Sequence, residues 1–176
     1  MLAVVVTGPP GVGKSTLATA VHDRLGDEGV ANALIEVDEL ERCYPPLRDD
    51  RVLDNLATVC ANFRESGHDL LFVTATIETD EYRLDLLAAT GATSHLLIRL
   101  EADPATLTRR IRAREPADWS GLEQLAADAV RLAVDIRALA GVGLVLDTTN
   151  RELHALVTRV HQAIKDTTRH STDLLR

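Results

Sequence analysis

Two hydrophobic rhythms alternate along the chain. Residues 2–6 form an unbroken apolar, β-branched run, the pattern of a strand covered on both faces of a parallel sheet. Leu17, Ala18, Val21 and Leu25 then recur at helical spacing from Ser15 onward, and Gly26 and Gly29 supply stop signals. A second short strand over 33–37 leads to Asp38. The stretch from Glu39 to Asp50, with Pro45 and Pro46, reads as irregular or briefly helical. Val52, Leu56, Val59, Cys60 and Phe63 mark one face of a helix that stops at Gly67. A third strand over 70–75, a helix over about 79–89 ending at Gly91, and a fourth strand over 95–100 follow.

Asp103 and Pro104 read as an N-cap and a first-turn proline. Ser120 to Glu123 has the capping-box pattern and opens a helix to about Leu139. A fifth strand is expected over 143–146. Thr149 to Glu152 forms a second capping box, before a last helix that fades by Lys165 and leaves 166–176 as a polar, frayed tail. Five apolar strands alternating with helices predict an α/β protein, a parallel sheet with helices on both faces. One domain is expected over 1–165, without internal repeats or linkers.

Composition narrows the partners. A formal charge of −8 and 3% aromatic residues argue against nucleic acid, whose binders carry positive fields and stacking rings. With 45% hydrophobic and 26% charged residues the chain has an ordinary globular balance, and no apolar run is long enough for a bilayer. The first residues lack a basic leader, so a cytoplasmic protein is expected, monomeric or homodimeric, that acts on a small solute. Cys43 and Cys60 have no metal-binding or disulfide spacing and read as reduced thiols. His154 and His161, seven apart without a third ligand, read as structural.

Against this background, one segment is chemically specific. Gly8-Pro9-Pro10-Gly11-Val12-Gly13-Lys14-Ser15 satisfies G-x-x-x-x-G-K-[ST] between an expected strand and an expected helix, the context in which that pattern cradles phosphate. Backbone N–H groups of Gly8, Gly11, Val12, Gly13 and the helix start, including Thr16, converge on an anion. Lys14 reaches the β- and γ-phosphates, and the Ser15 hydroxyl joins a Mg²⁺ shell. ATP with Mg²⁺ is the expected nucleotide.

Other residues select among phosphate-loop proteins. No N-K-x-D pattern exists for guanine. Asp23 to Gly26 imitates D-x-x-G but lies inside the first helix. The third strand ends in threonines, without the acidic pair of a motor ATPase. Acid instead lies at Glu36, Asp38 and Glu39, where the second strand opens toward the ligand side of the sheet. If the strand stays extended, Glu36 and Asp38 share a side, and Asp38 either takes a proton from an attacking hydroxyl or helps hold Mg²⁺. Arg109, Arg110, Arg112 and Arg114 form a basic island on one helix, with Arg110 and Arg114 on a common face suited to phosphoryl oxygens. The sequence does not choose which arginine reaches the γ-phosphate.

The phosphate loop, Asp38 after strand two, the arginine helix after strand four and Leu146-Asp147-Thr148-Thr149 after strand five together resemble small P-loop kinases such as chloramphenicol phosphotransferase, gluconate kinase, shikimate kinase and adenylylsulfate kinase. The resemblance implies a five-stranded sheet in the order 2-3-1-4-5 with a lid after strand four. It implies Asp38 as catalytic base or Mg²⁺-linked aspartate, and Arg110 and Arg114 as lid arginines approaching the transferred phosphates. The 147–150 loop, with Thr148 and Asn150, would border adenine. The lack of an aspartate in strand three departs from nucleoside monophosphate kinases.

The expected activity is therefore transfer of the ATP γ-phosphoryl group to a hydroxyl of a small metabolite or natural product, catalysed by Lys14, Asp38, Arg110 and Arg114. Tyr44, Arg48, Arg51, Thr74, Thr76 and Glu78 are the polar candidates for holding the acceptor alongside Asp38, although Arg48 and Arg51 also have Asp49, Asp50 and Asp54 nearby as ion-pair partners. Two alternatives stay open: a nucleoside or nucleoside monophosphate kinase, and a regulatory module that binds nucleotide without small-molecule kinase activity.

Overall fold

The computed structural model describes residues 1–173, and its apolar runs lie side by side as one parallel sheet. The strands are β1 (Leu2–Thr7), β2 (Asn32–Glu36), β3 (Leu70–Ala75), β4 (Ser94–Glu101) and β5 (Leu144–Asp147), in the order β2-β3-β1-β4-β5. β1 is central: Val4 lies opposite Phe72 of β3 on one side and Leu96 of β4 on the other. Every residue of β1 and β3 is buried, the outcome expected when helices cover both faces of a parallel sheet.

Alternation along the strands splits the core in two. Val4, Val6, Phe72 and Ile98 pack against Leu17 and Val21 of α1 (Lys14–Asp27) and Leu156 and Val160 of α7 (Leu153–Asp173). Val5, Leu71, Val73 and Leu97 face the other way, into a layer containing Leu56 of α3 (Asp49–Glu65), Leu86 of α4 (Asp80–Ala89) and Leu132 of α6 (Leu122–Asp135). The remaining helices are the short α2 (Val37–Leu40) and α5 (Pro104–Arg114). Ile111 of α5 joins Leu122, Ala126 and Ala129 of α6, so these helices form a packed pair beyond β4. No helix among the described residues is long and apolar enough to cross a membrane.

Caps behave unevenly. Asp103 caps α5 as expected, its carboxylate accepting from the Thr106 N–H at 2.7 Å with Pro104 in the first turn. The Ser120 capping box does not form. α6 starts after Gly121 without a side-chain cap, because the Glu123 carboxylate is taken by the Arg112 guanidinium at 2.6 Å. Thr149 likewise caps no helix, its hydroxyl accepting instead from the Asp103 N–H at 3.0 Å.

Three further boundaries shift. β2 ends at Glu36, and Asp38 lies in the turn of α2, so Glu36 and Asp38 do not share one side of an extended strand. α6 stops at Asp135 and a short 3₁₀ turn continues to Ala138. α7 runs on to Asp173, past the expected end near Lys165. The Thr167 and Thr168 hydroxyls turn back onto the carbonyls of Ala163 and Ile164, which keeps these polar residues compatible with the helix. The last three residues of the expected polar tail lie outside the described residues. His161, buried on α7, meets the Glu28 carboxylate at 2.9 Å, joining α7 to the end of α1. Hydrogen bonds from His161 and then Arg24 hold that carboxyl below its ordinary range.

Phe72, fully buried against α1 and α7, tests this core. Phe72→Ala is expected to destabilise the fold by about 3–5 kcal/mol, read from the midpoint of urea unfolding at unchanged slope. A loss below about 1 kcal/mol would contradict the packing described.

Candidate active site

Three chain segments converge beyond the carboxyl end of β1. The loop from Gly8 to Gly13 passes from the central strand into α1, so it emerges where the strand ends on either side also open. A side chain at Gly8 would begin 2.8 Å from the Leu100 carbonyl oxygen, and one at Gly11, where φ is +78°, would begin 3.0 Å from Cγ1 of Ile111. Glycine is required at both places for close approach, and at Gly11 for the left-handed backbone as well. No side chain caps the start of α1, so its first amides and helix dipole are directed at the loop's concavity, as anion binding requires.

The Lys14 ammonium donates to the Gly8 carbonyl at 2.9 Å and to the Thr76 hydroxyl at 3.0 Å. Thr76 is set in place by the adjacent residue: the Ile77 N–H donates to Thr7 Oγ1 at 3.0 Å, tying the chain after β3 to the end of β1. Burial pushes the Lys14 amine down to about 8; the Asp38 and Glu36 carboxylates oppose that shift and the Arg114 guanidinium reinforces it. Ser15 Oγ donates to the Glu36 carboxylate at 2.8 Å. A hydroxyl and carboxylates are the oxygen donors that Mg²⁺ prefers, so Ser15, Glu36 and Asp38 are chemically fit to hold it directly or through water.

Arg110 knits the third segment in. Its Nη1 donates to Thr148 Oγ1 at 3.0 Å and more weakly to the carbonyls of Val12 and Gly11, while Nη2 donates to the Thr148 carbonyl at 2.7 Å. Thr148 Oγ1 in turn donates to the Val12 carbonyl at 2.9 Å. Arg114, one turn further on, reaches the same cleft, although its guanidinium pairs with Glu115 at 2.6 Å. Arg109 bonds to the Thr106 hydroxyl and Arg112 to Glu123, so the island divides two and two.

Lys14, Ser15, Arg110, Arg114 and Thr148 line a cleft of about 520 Å³ that also takes in Gly11, Val12, Gly13, Thr16, Asp38 and Thr76, whereas Gly8 and Glu36 stand outside its lining. It omits several expected residues. Tyr44 is 97% exposed, Arg48 pairs with Asp50, and Arg51 pairs with Asp54 at 3.0 Å; none of the three lines the cleft. Asn150 is exposed and its neighbour Arg151 takes the lining position. Glu36 as the partner of Ser15 was missed, as were Leu125, Arg151, Leu153 and Leu156. The nearest signals for Glu36 and Arg151 are their places beside Asp38 and the 147–150 loop.

A loop of this sequence between β1 and α1, in a 2-3-1-4-5 parallel sheet, defines a P-loop α/β protein. Residues 4–128 match the family model described as "AAA domain", and the chain belongs to that family. Membership does not supply a motor's acidic pair: β3 still leads into Thr74, Ala75 and Thr76. A Methanocaldococcus jannaschii protein described as a "putative adenylate kinase" is 26% identical over 172 residues, covering 93% of this chain and 86% of its own. Among solved structures, a sugar kinase from Janibacter sp. HTCC2649 superposes with TM-score 0.69 at 22% identity, covering 94% of this chain and 95% of that one. A gluconokinase from Sinorhizobium meliloti 1021 gives 0.64 at 20%, covering 98% and 95%. These structural likenesses concern the fold.

Gly11→Ala places a methyl against Ile111 in a left-handed backbone, so it should lower stability by about 1–2 kcal/mol and weaken ATP binding by roughly tenfold or more. Calorimetry of unfolding and of binding reads both, and unchanged ATP affinity would separate the loop from the nucleotide. A second prediction concerns pH. Lys14 is cationic below its value of about 8 and neutral above it, so ATP affinity in titrations from pH 7 to 9.5 should fall about tenfold per unit above that point.

Proposed function

We propose that this protein transfers the γ-phosphoryl group of ATP to a hydroxyl of a small metabolite or natural product. The observation that carries the reading is the convergence of Lys14, Asp38, Arg110 and Arg114 on one cleft at the carboxyl end of the sheet. The acceptor oxygen attacks the γ-phosphorus in line, its proton passes to the Asp38 carboxylate, and the bond to the leaving ADP oxygen breaks. Lys14 and Arg114 balance charge on the phosphoryl oxygens, while Arg110 braces the phosphate loop against Thr148 at the nucleotide's side. Ser15, with Glu36, would hold the Mg²⁺ that neutralises the phosphates when bound, which leaves Asp38 to take the proton. Closure of the α5–α6 pair, which lends Arg110, Arg114 and Leu125 to the cleft, would exclude water from this site.

The acceptor side favours a molecule without a phosphate of its own. Asp38, Glu41 and Asp49 make no ion pair with any described residue, and the neighbouring charges of Asp38 and Asp49, after burial, push the Glu41 carboxyl up. The nearby Arg48 and Arg51 are paired to Asp50 and Asp54 rather than turned toward an anion. A nucleoside monophosphate kinase is the second reading, and the full-length likeness to the archaeal relative supports it. A regulatory module that binds nucleotide without transfer is the third.

Phosphate transfer by the purified protein with Mg-ATP, across nucleosides, nucleoside monophosphates, sugar acids and hydroxylated antibiotics, decides among these. The expected result is ADP release stimulated by an unphosphorylated acceptor, with a product heavier by one phosphate. Stimulation by nucleoside monophosphates alone would establish the second reading, and nucleotide binding without any stimulated transfer the third. Lys14→Ala should abolish turnover. Asp38→Asn should keep ATP binding and lose transfer by on the order of 10²-fold or more; normal transfer in that variant would remove the base assigned here.

A further inference from the structure

Thr76 stood among the acceptor candidates, yet its hydroxyl is spent on the protein's own lysine. We infer that Thr76 is a positioning residue for Lys14: with the Gly8 carbonyl it holds the ammonium on neutral acceptors, away from the nearby carboxylates and aimed at the phosphate site. The contacts are 3.0 Å to Thr76 Oγ1 and 2.9 Å to the Gly8 carbonyl. The competing partners are Glu36 from β2 and Asp38 from α2, both near enough to attract the ammonium, with Arg114 of α5 repelling it. An ion pair with either carboxylate would have to break before Lys14 could meet a phosphate. A hydroxyl and a carbonyl satisfy the donor while leaving its charge uncompensated and available.

The scaffold supports that placement. Thr76 follows β3 directly, and the Ile77 N–H bond to Thr7 anchors the backbone beside it to the residue before Gly8. The lysine's two acceptors therefore sit at the ends of adjacent parallel strands, β1 and β3, in fixed register: Thr7 lies opposite Ala75. The inference rests on Lys14 serving a bound phosphate, and its test separates the two.

The chain contains two lysines, Lys14 and Lys165, so ¹⁵N labelling of lysine alone gives two side-chain signals, and the Lys14→Arg variant assigns them. In the nucleotide-free protein at fixed acidic pH, the Lys14 ammonium is expected to exchange its protons slowly, while exposed Lys165 exchanges fast. Thr76→Val, close in shape but without the acceptor, should abolish the slow exchange and weaken Mg-ATP binding by about ten- to a hundredfold, leaving the acceptor KM in place. Thr76→Ser should restore both, and its folding keeps the comparison valid if the valine variant is unstable. Retained slow exchange and unchanged ATP affinity in Thr76→Val, or a change confined to the acceptor KM, would overturn the inference. Absence of Mg-ATP binding by the unaltered protein would instead overturn the phosphate-loop reading, with the exchange measurement still deciding whether Thr76 holds Lys14.

Discussion

The structure depends on β1 having a parallel neighbour on each side. That constraint places the strand's carboxyl end between the openings of β3 and β4, and the loop leaving it is met by residues from both flanks. Thr76 arrives from β3; Leu100 crowds Gly8 from β4; Arg110 arrives on the helix after β4 and Thr148 on the loop after β5. The site is a consequence of strand order, since ligands of open parallel sheets gather at carboxyl ends beside the central strand. A different order would leave the same loop without these partners.

Charge in the cleft is arranged by pairing as much as by position. The four arginines of α5 divide because Arg109 bonds to the buried Thr106 and Arg112 to the exposed Glu123, whereas Arg110 and the more exposed Arg114 line the cleft. Arg110 is committed to backbone carbonyls and Thr148, which gives it a bracing role at the loop. Among the described residues Lys14 bonds to neutral oxygens, so no direct ion pair engages its charge. Carboxylates lie close by, with Glu36 bonded to Ser15 and Asp38 lining the cleft, and both act on the Lys14 ammonium.

Much of this was legible in the chain because it depends on short-range regularities. The strand runs, the helical spacing of Leu17 through Leu25 and the G-x-x-x-x-G-K-S spacing each record a local periodicity or a backbone requirement, and all appear where expected. Asp103 and Pro104 likewise cap α5 through contacts three residues apart. The strand order 2-3-1-4-5 was carried by resemblance, since apolar runs do not state their neighbours.

Other features required the tertiary structure. The capping boxes at Ser120 and Thr149 fit the sequence pattern, but Glu123 and Thr149 found better partners on other elements, Arg112 and the Asp103 N–H. Arg48 and Arg51 took aspartates two and three residues away instead of facing the cleft, and Tyr44 was left to solvent. Glu36 and Thr76 acquired their roles only when β2, β3 and α1 came together around Ser15 and Lys14. The amino-acid sequence by itself determined the elements and the phosphate loop, because both follow from neighbouring residues and backbone conformation. Which polar groups share the cleft was decided by the tertiary structure, because hydrogen bonds and ion pairs act over a few ångströms, and folding sets which distant residues come that close.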